Sequence, residues 1–374
     1  MKKFLFITLI LFVAGFVFPG YSLCETESKN VEGKGLPERV LRIEEKMEET
    51  SVLGKWFENI TLSGAIEVEA GFEKIDYNDP ATKDEDSSDI VLATVELGID
   101  AEITKHVSGH ILFLYEEDDT DLEVDEGIIS INGEDVLPLY LNAGQMYVPF
   151  GNFESHMISD PLTLDLGETR ESAVIAGFAT DWLDISAGVF NGDSDETNED
   201  DKIESYVAAA VLTLPEGTVS GFGLSAGASY ISNIGDSDSL QEDIAAGPVT
   251  IKDYVAGYSA FLSISALDRF FFNAEYLTAA DEFEAGELSF DGGLKFKPST
   301  WYVELAVGVT DDLEIAVRYE ASDDGGDFLP EKRYGATVIY GLFENTSLGL
   351  EYLSGKFKND DEVDIITAQL AIEF

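Results

Sequence analysis

The sequence predicts an all-β fold, a transmembrane antiparallel β-barrel of about sixteen strands over residues 60–374, behind a short N-terminal periplasmic helix. Three observations lead there. Apolar residues recur at every second position in runs of about ten, as in a strand with one apolar face. Short and long connectors alternate along the chain, as they do where all hairpins of one kind lie on one side of a membrane. Aromatic residues stand where strands enter the long connectors, and the chain ends on Phe374, in phase with Leu370 and Ile372.

The first element, residues 1–24, reads as a signal peptide. Lys2 and Lys3 form a basic start, Phe4 to Phe18 an apolar core, and Pro19 and Gly20 break it; cleavage follows Cys24 or Ser22. A lipoprotein site at Cys24 is the competing reading, but Tyr21-Ser22-Leu23 lacks a small residue directly before the cysteine. Residues 25–59 form a periplasmic linker with a helix over 36–49, where Leu36, Val40, Ile43 and Met47 make a heptad seam. Two heptads are marginal alone in water. The helix either lies on a surface or joins copies of the chain into a homo-oligomer. No later segment reaches the ~20 apolar residues of a membrane helix.

From Ile60 the period becomes two. ITLSGAIEVEAGF sets Ile60, Leu62, Ile66, Val68, Ala70 and Phe72 against Thr61, Ser63, Glu67 and Glu69. VLATVELGIDAEI sets Val91, Ala93, Val95, Leu97 and Ile99 against Thr94, Glu96, Asp100 and Glu102. FGLSAGASY, FFFNAEYL, LEIAVRYEA, TSLGLEYL and DIITAQLAIEF continue the pattern. Tight connectors fall near 104–105, 132–136, 180–181, 215–218, 266–268, 310–312 and 343–345. Longer, acid-rich ones fall near 74–89, 117–123, 149–171, 191–202, 233–252, 279–298, 322–332 and 356–362. The aromatics leading into them are Phe72, Tyr115, Tyr147, Phe190, Tyr230, Tyr276, Tyr319 and Tyr352, with Phe190 out of phase with its own strand. A soluble sandwich also alternates, but leaves this asymmetry of connectors unexplained. Closure also removes every sheet edge, which lipid demands.

With 74 acidic residues against 22 basic ones and a net charge of -52, the chain does not suit a phosphate backbone, so nucleic acid is no partner. Its 45% apolar and 11% aromatic content is too high for a disordered acidic chain, and one cysteine leaves no disulfide framework. Partners expected of such a barrel are outer-membrane lipid and lipopolysaccharide, the barrel-assembly machinery and small solutes. A barrel this wide encloses water, so its inner face sets selectivity. Glu67, Glu69, Glu96 and Asp100 are candidate pore-lining acids, with Arg269, Arg318 and Arg333 the few opposing cations. An acidic channel concentrates cations.

The connector after Tyr140–Pro149 is the longest and mixes polarity instead of running acidic. Phe150, Phe153, Glu154, His156, Asp160 and Arg170 are its candidate constriction residues, if it folds into the pore rather than over the mouth or against a neighbour. Asp193, Asp195 and Glu204 stand at calcium-loop spacing in NGDSDETNEDDKIE, making Ca²⁺ a candidate ligand of the outer loops. Asn198 occupies the place where such loops need glycine, so a solvated acidic loop competes with that reading. No resident cofactor is expected. Ser155, His156 and Asp160 adjoin in sequence, but catalytic triads are defined by geometry, and the chain is not read as an enzyme.

The segments ITLSGAIEVEAGFE, SDIVLATVELGIDAEI and AGQMYVPFGNFESHMISDPLTLDLGETRESAV resemble the LbtU-type siderophore porin family, a likeness that covers nearly all of residues 55–374. The resemblance implies an outer-membrane barrel of a Gram-negative bacterium for ferric siderophore uptake. A general cation-preferring diffusion porin, or a plugged structural or adhesive barrel, is the alternative.

Overall fold

A computed structural model describes residues 59–374 except 119, 134–135, 195, 198–201, 246–250 and 291–292. The expected signal peptide and the helix over 36–49 lie outside the described residues. Sixteen strands form one closed antiparallel barrel. They are β1 (Ile60–Asp76), β2 (Glu85–Thr104), β3 (Val107–Glu116), β4 (Thr120–Asn132), β5 (Leu139–Tyr147), β6 (Arg170–Thr180), β7 (Leu183–Phe190) and β8 (Ser205–Thr213). The second half comprises β9 (Phe222–Ile231), β10 (Gly257–Ala266), β11 (Phe270–Ala279), β12 (Ser299–Thr310), β13 (Leu313–Asp323), β14 (Lys332–Phe343), β15 (Thr346–Lys356) and β16 (Glu362–Glu373). Each strand pairs with its sequence neighbours, and β1 closes on β16.

The two faces are inverted relative to a soluble protein. Along β13, Ile315, Val317 and Tyr319 are exposed outside, while Ala316, Arg318 and Glu320 are buried inside. Apolar residues on the outer surface and charged ones within suit a barrel whose outer solvent is hydrocarbon. Cross-strand aromatics mark the end bearing the long loops. Tyr206, Tyr230 and Tyr258 pack with tilted rings at 5.8 and 5.3 Å, and Trp301 meets Tyr319 at 5.6 Å. Phe374 seals the closing seam, its N–H donating to Gly64 O at 3.0 Å and its carbonyl accepting from Gly64 N at 2.9 Å. Any Cβ on Gly64 would meet that ring at 2.7 Å, so the seam needs glycine there.

Four expectations shift. A bulge at Ala93, where Glu67 faces Thr94 and Val68 faces Leu92, reverses the phase of β2. Ile90 and Leu92 therefore take the outer face, in place of Val91 and Ala93. Phe190 is buried inside the barrel and is no belt residue, as its phase dictates. The β1–β2 connector shrinks to residues 77–84 and the β3–β4 connector to 117–119. Polar residues pair there as strand, because the ladder uses backbone groups and needs no apolar side chains.

The apolar core lies at the long-loop end. Phe150, Phe190, Ile231, Leu240, Phe283 and Phe290 are all buried there, and the loops after β5, β9 and β11 contribute to it.

Candidate functional site

The β5–β6 segment, residues 148–169, enters the barrel and lies along its wall. Gly151 (φ 83°) and Phe153 (φ 54°) turn the chain inward, and the Phe153 ring covers Gly151 so closely that no Cβ fits. A short helix, α1 (Leu162–Gly167), follows, with Leu162, Leu164 and Leu166 buried.

Four inward carboxylates on the wall accept hydrogen bonds from backbone N–H groups of the segment. Glu275 of β11 takes Asn152 N at 2.8 Å, Phe153 N at 3.0 Å and Thr163 Oγ1 at 3.1 Å. Glu304 of β12 takes Ser155 Oγ at 2.8 Å and His156 N at 2.7 Å. Glu351 of β15 takes Ile158 N at 2.7 Å and Ser159 N at 3.1 Å. Glu320 of β13 takes Leu162 N at 2.8 Å. Period two places each carboxylate inward, and the pairing of successive strands from β11 to β15 sets them along one wall. Hydrogen bonds from backbone N–H to a carboxylate are charge-assisted, hence stronger than neutral ones.

The segment's carbonyls face two arginines. Arg318, with a fully buried side chain, donates to Ser159 O at 2.9 Å and Asp160 O at 2.8 Å, and pairs with Glu320 at 3.1 Å and Glu304 at 3.6 Å. Arg333 donates to Asp160 O at 2.7 Å and pairs with Glu320 at 2.6 Å. At the tip, the His156 ring pairs with Glu314 at 2.9 Å and packs on Phe271 at 4.6 Å, while Tyr302 OH donates to Glu154 O at 2.6 Å. The Ser155 and His156 side chains thus bond to different wall carboxylates, Glu304 and Glu314.

Across the barrel, β1–β4 carry a second group of acids. Gln369 donates to Glu67 at 3.3 Å and to Glu69 at 2.9 Å. His110 sits between Asp100 at 2.8 Å and Glu126 at 3.3 Å, with both ring nitrogens facing carboxylates. Glu67 and Glu69 belong to β1, Glu96 and Asp100 to β2. The acids therefore divide in two. Those of β11–β15 hold the segment, and those of β1–β4 do not contact it through any of these bonds.

The other candidate residues are dispersed. Phe150 packs in the core at the mouth. Arg170 is not part of the inserted run: it opens β6 and binds Glu123 at 2.7 Å and Asp125 at 2.5 Å. Arg269 lies in the β10–β11 turn beside Asp311, at the short-turn edge rather than along the lumen wall. Asp195 lies outside the described residues; among the described residues no three His, Cys, Asp or Glu side chains are placed to hold a metal ion. Sequence reasoning missed His110, Glu126 and Tyr302. The strand alternation signals their inward direction, but their partners come from distant residues.

A closed sixteen-stranded antiparallel barrel with a long segment folded into its lumen resembles outer-membrane porin channels. The channel DcaP of Acinetobacter baumannii superposes with a TM-score of 0.57 at 17% identity, covering 84% of this chain and 97% of that one. The anion-selective porin from Comamonas acidovorans gives 0.58 at 10% identity, with 84% and 99% covered. OmpF of Salmonella typhi, in complex with daunomycin, gives 0.52 at 13%, with 84% and 98% covered. In sequence the chain is 25% identical over 317 residues to a UPF0422 protein of Legionella pneumophila, covering 78% of this chain and 58% of that protein. It is 26% identical over 258 residues to a UPF0422 protein of Coxiella burnetii, covering 66% and 54%. The chain thus spans less than two thirds of the length of these relatives. No protein-family model matches it.

Proposed function

We propose that the chain is a porin-type channel of a Gram-negative outer membrane that passes small solutes and prefers cations. One observation carries this reading: the β5–β6 segment narrows the lumen from one wall, and its arginines and carboxylates bind one another there. Arg318 and Arg333 are spent on segment carbonyls and Glu320, and Arg170 on Glu123 and Asp125. The charge left facing the segment, on β1–β4, is predominantly acidic. Fixed charge of one sign in a low-dielectric channel enriches ions of the other.

The finer reading is ferric siderophore uptake, supported by the likeness to the LbtU-type siderophore porins. An acidic wall favours neutral or cationic iron chelates over anionic ones. Copies of the chain associating through residues 36–49 complete the proposal, and chemical cross-linking with and without those residues tests it. A plugged structural barrel is the second reading, favoured by the packed core at the long-loop end. Planar-bilayer recording of the refolded protein decides. Discrete cation-preferring steps blocked by a ferric chelate support uptake; steps without block leave a general porin; a silent barrel favours the plug.

A further inference from the structure

The segment has a second attachment, beyond the wall carboxylates. The loop between β9 and β10 carries a 3₁₀ turn (Ile234–Asp236) and a helix, α2 (Asp238–Ala245), at the barrel mouth. Asp238 N donates to Glu168 O at 2.9 Å, and Arg170 N donates to the Asp238 carboxylate at 3.2 Å. These bonds tie the end of the inserted segment to the loop that covers it.

Acids crowd this joint from every side. Glu123 and Asp125 come from β4, and Glu171 from β6. The segment itself adds Asp160 and Asp165. Asp236 precedes the helix, and Asp193 comes from the β7–β8 loop. Tyr147 of β5 donates its hydroxyl to Asp125. The cation bonded here is Arg170, whose guanidinium serves Glu123 and Asp125. Glu168 is 6% exposed, yet its Oε2 has no hydrogen-bond partner; Gln241 Oε1 and the fully buried Ser237 hydroxyl also lack one. A buried ionised carboxylate without a partner is costly. A protonated one supplies a donor where acceptors are in excess. Among the described residues no three acids converge on a metal position, so the proton is the counter-charge at hand.

We infer that Glu168 and Asp238 form a proton-dependent latch between the inserted segment and the β9–β10 loop, closed while they carry protons and loosened when both ionise. Burial, reinforced by neighbouring carboxylates, holds Glu168 well above the usual carboxylate range. Burial likewise lifts Asp238 to about 7, against the pull of Arg170. Both values are raised on folding. The contribution is therefore full at acid pH, below the unfolded value of about 4, and is lost as pH rises through neutrality.

Hydrogen exchange on the full chain, refolded in detergent, tests the latch. Peptides spanning 236–245 are compared at about pH 5.5 and about pH 8.5 after correction for intrinsic rates. The wild type should lose roughly tenfold or more of its protection at the higher pH, whereas Glu168→Gln with Asp238→Asn should keep it. Glu168→Gln alone, which retains a donor, serves if the double variant does not refold. Equal wild-type protection at both values overturns the latch, as does an undiminished fall in the variant. Restoration of wild-type protection by about 5 mM Ca²⁺ at the higher pH would assign the site to a metal instead. Exchange reports the latch whether or not the barrel conducts, so failure of the channel reading shows separately in bilayer recordings.

Discussion

Arg318 and Arg269 carry the same charge into opposite surroundings, and that difference sets what each substitution costs. Arg318 is 0% exposed at its side chain and bound to two carboxylates and several segment oxygens. Arg318→Met would strand Glu304 without its cation and leave Glu320 with Arg333 alone, at a cost of about 3–5 kcal/mol. Arg269 faces Asp311 with both side chains more than half exposed, so Arg269→Ala should cost under about 1 kcal/mol. Urea midpoints of the refolded proteins compare the two directly. Equal losses would mean that the buried network contributes nothing beyond a surface pair.

At the scale of elements, the inserted segment owes its position to a comb of carboxylates and not to its own few apolar side chains at the tip. Glu275→Gln with Glu351→Gln would weaken the hydrogen bonds at Asn152, Phe153, Ile158 and Ser159 while leaving the strand ladders intact. Greater current noise, faster exchange over residues 152–159 and unchanged β-sheet circular dichroism are the expected outcomes; unaltered noise and exchange would move the segment's anchor elsewhere. The strands themselves were legible, because lipid enforces an apolar residue at every second position, the outward one. The reversal in β2 was hidden, since Ile90, Val91, Leu92 and Ala93 are all apolar and fit either phase. The comb was hidden for a different reason. Glu275, Glu304, Glu320 and Glu351 show inward direction in sequence, but become partners of one segment only when the β5–β6 segment, distant in sequence, folds across the lumen onto β11–β15. His110 and Glu126 likewise meet through strand pairing that sequence spacing does not reveal.

Across the whole molecule, charge is sorted by wall, and selectivity should follow that sorting instead of the net charge of -52. The acids of β11–β15 bind the segment, so neutralising them alters its position before it alters the field. The acids of β1 and β2 lie away from the segment, with the Asp100 side chain more than half exposed beside the His110 ring, and they are the wall a permeating ion would meet. In a salt gradient the wild type should give a cation-preferring reversal potential. Replacing Glu67, Glu69 and Glu96 by Gln and Asp100 by Asn should move it toward the unselective value. The preference should also shrink as the screening length falls from about 10 Å at 0.1 M salt to about 3 Å at 1 M. Replacing exposed loop acids Asp79 and Asp253 by Asn is the control, since they stand outside the strands and should leave the potential nearly unchanged. Anion preference in the wild type, or an equal shift from the loop control, would place the selecting charge elsewhere than on β1 and β2. A shift confined to the fourfold variant would assign it to that wall and predict that a cationic ferric chelate competes with potassium more strongly than an anionic chelate of similar size.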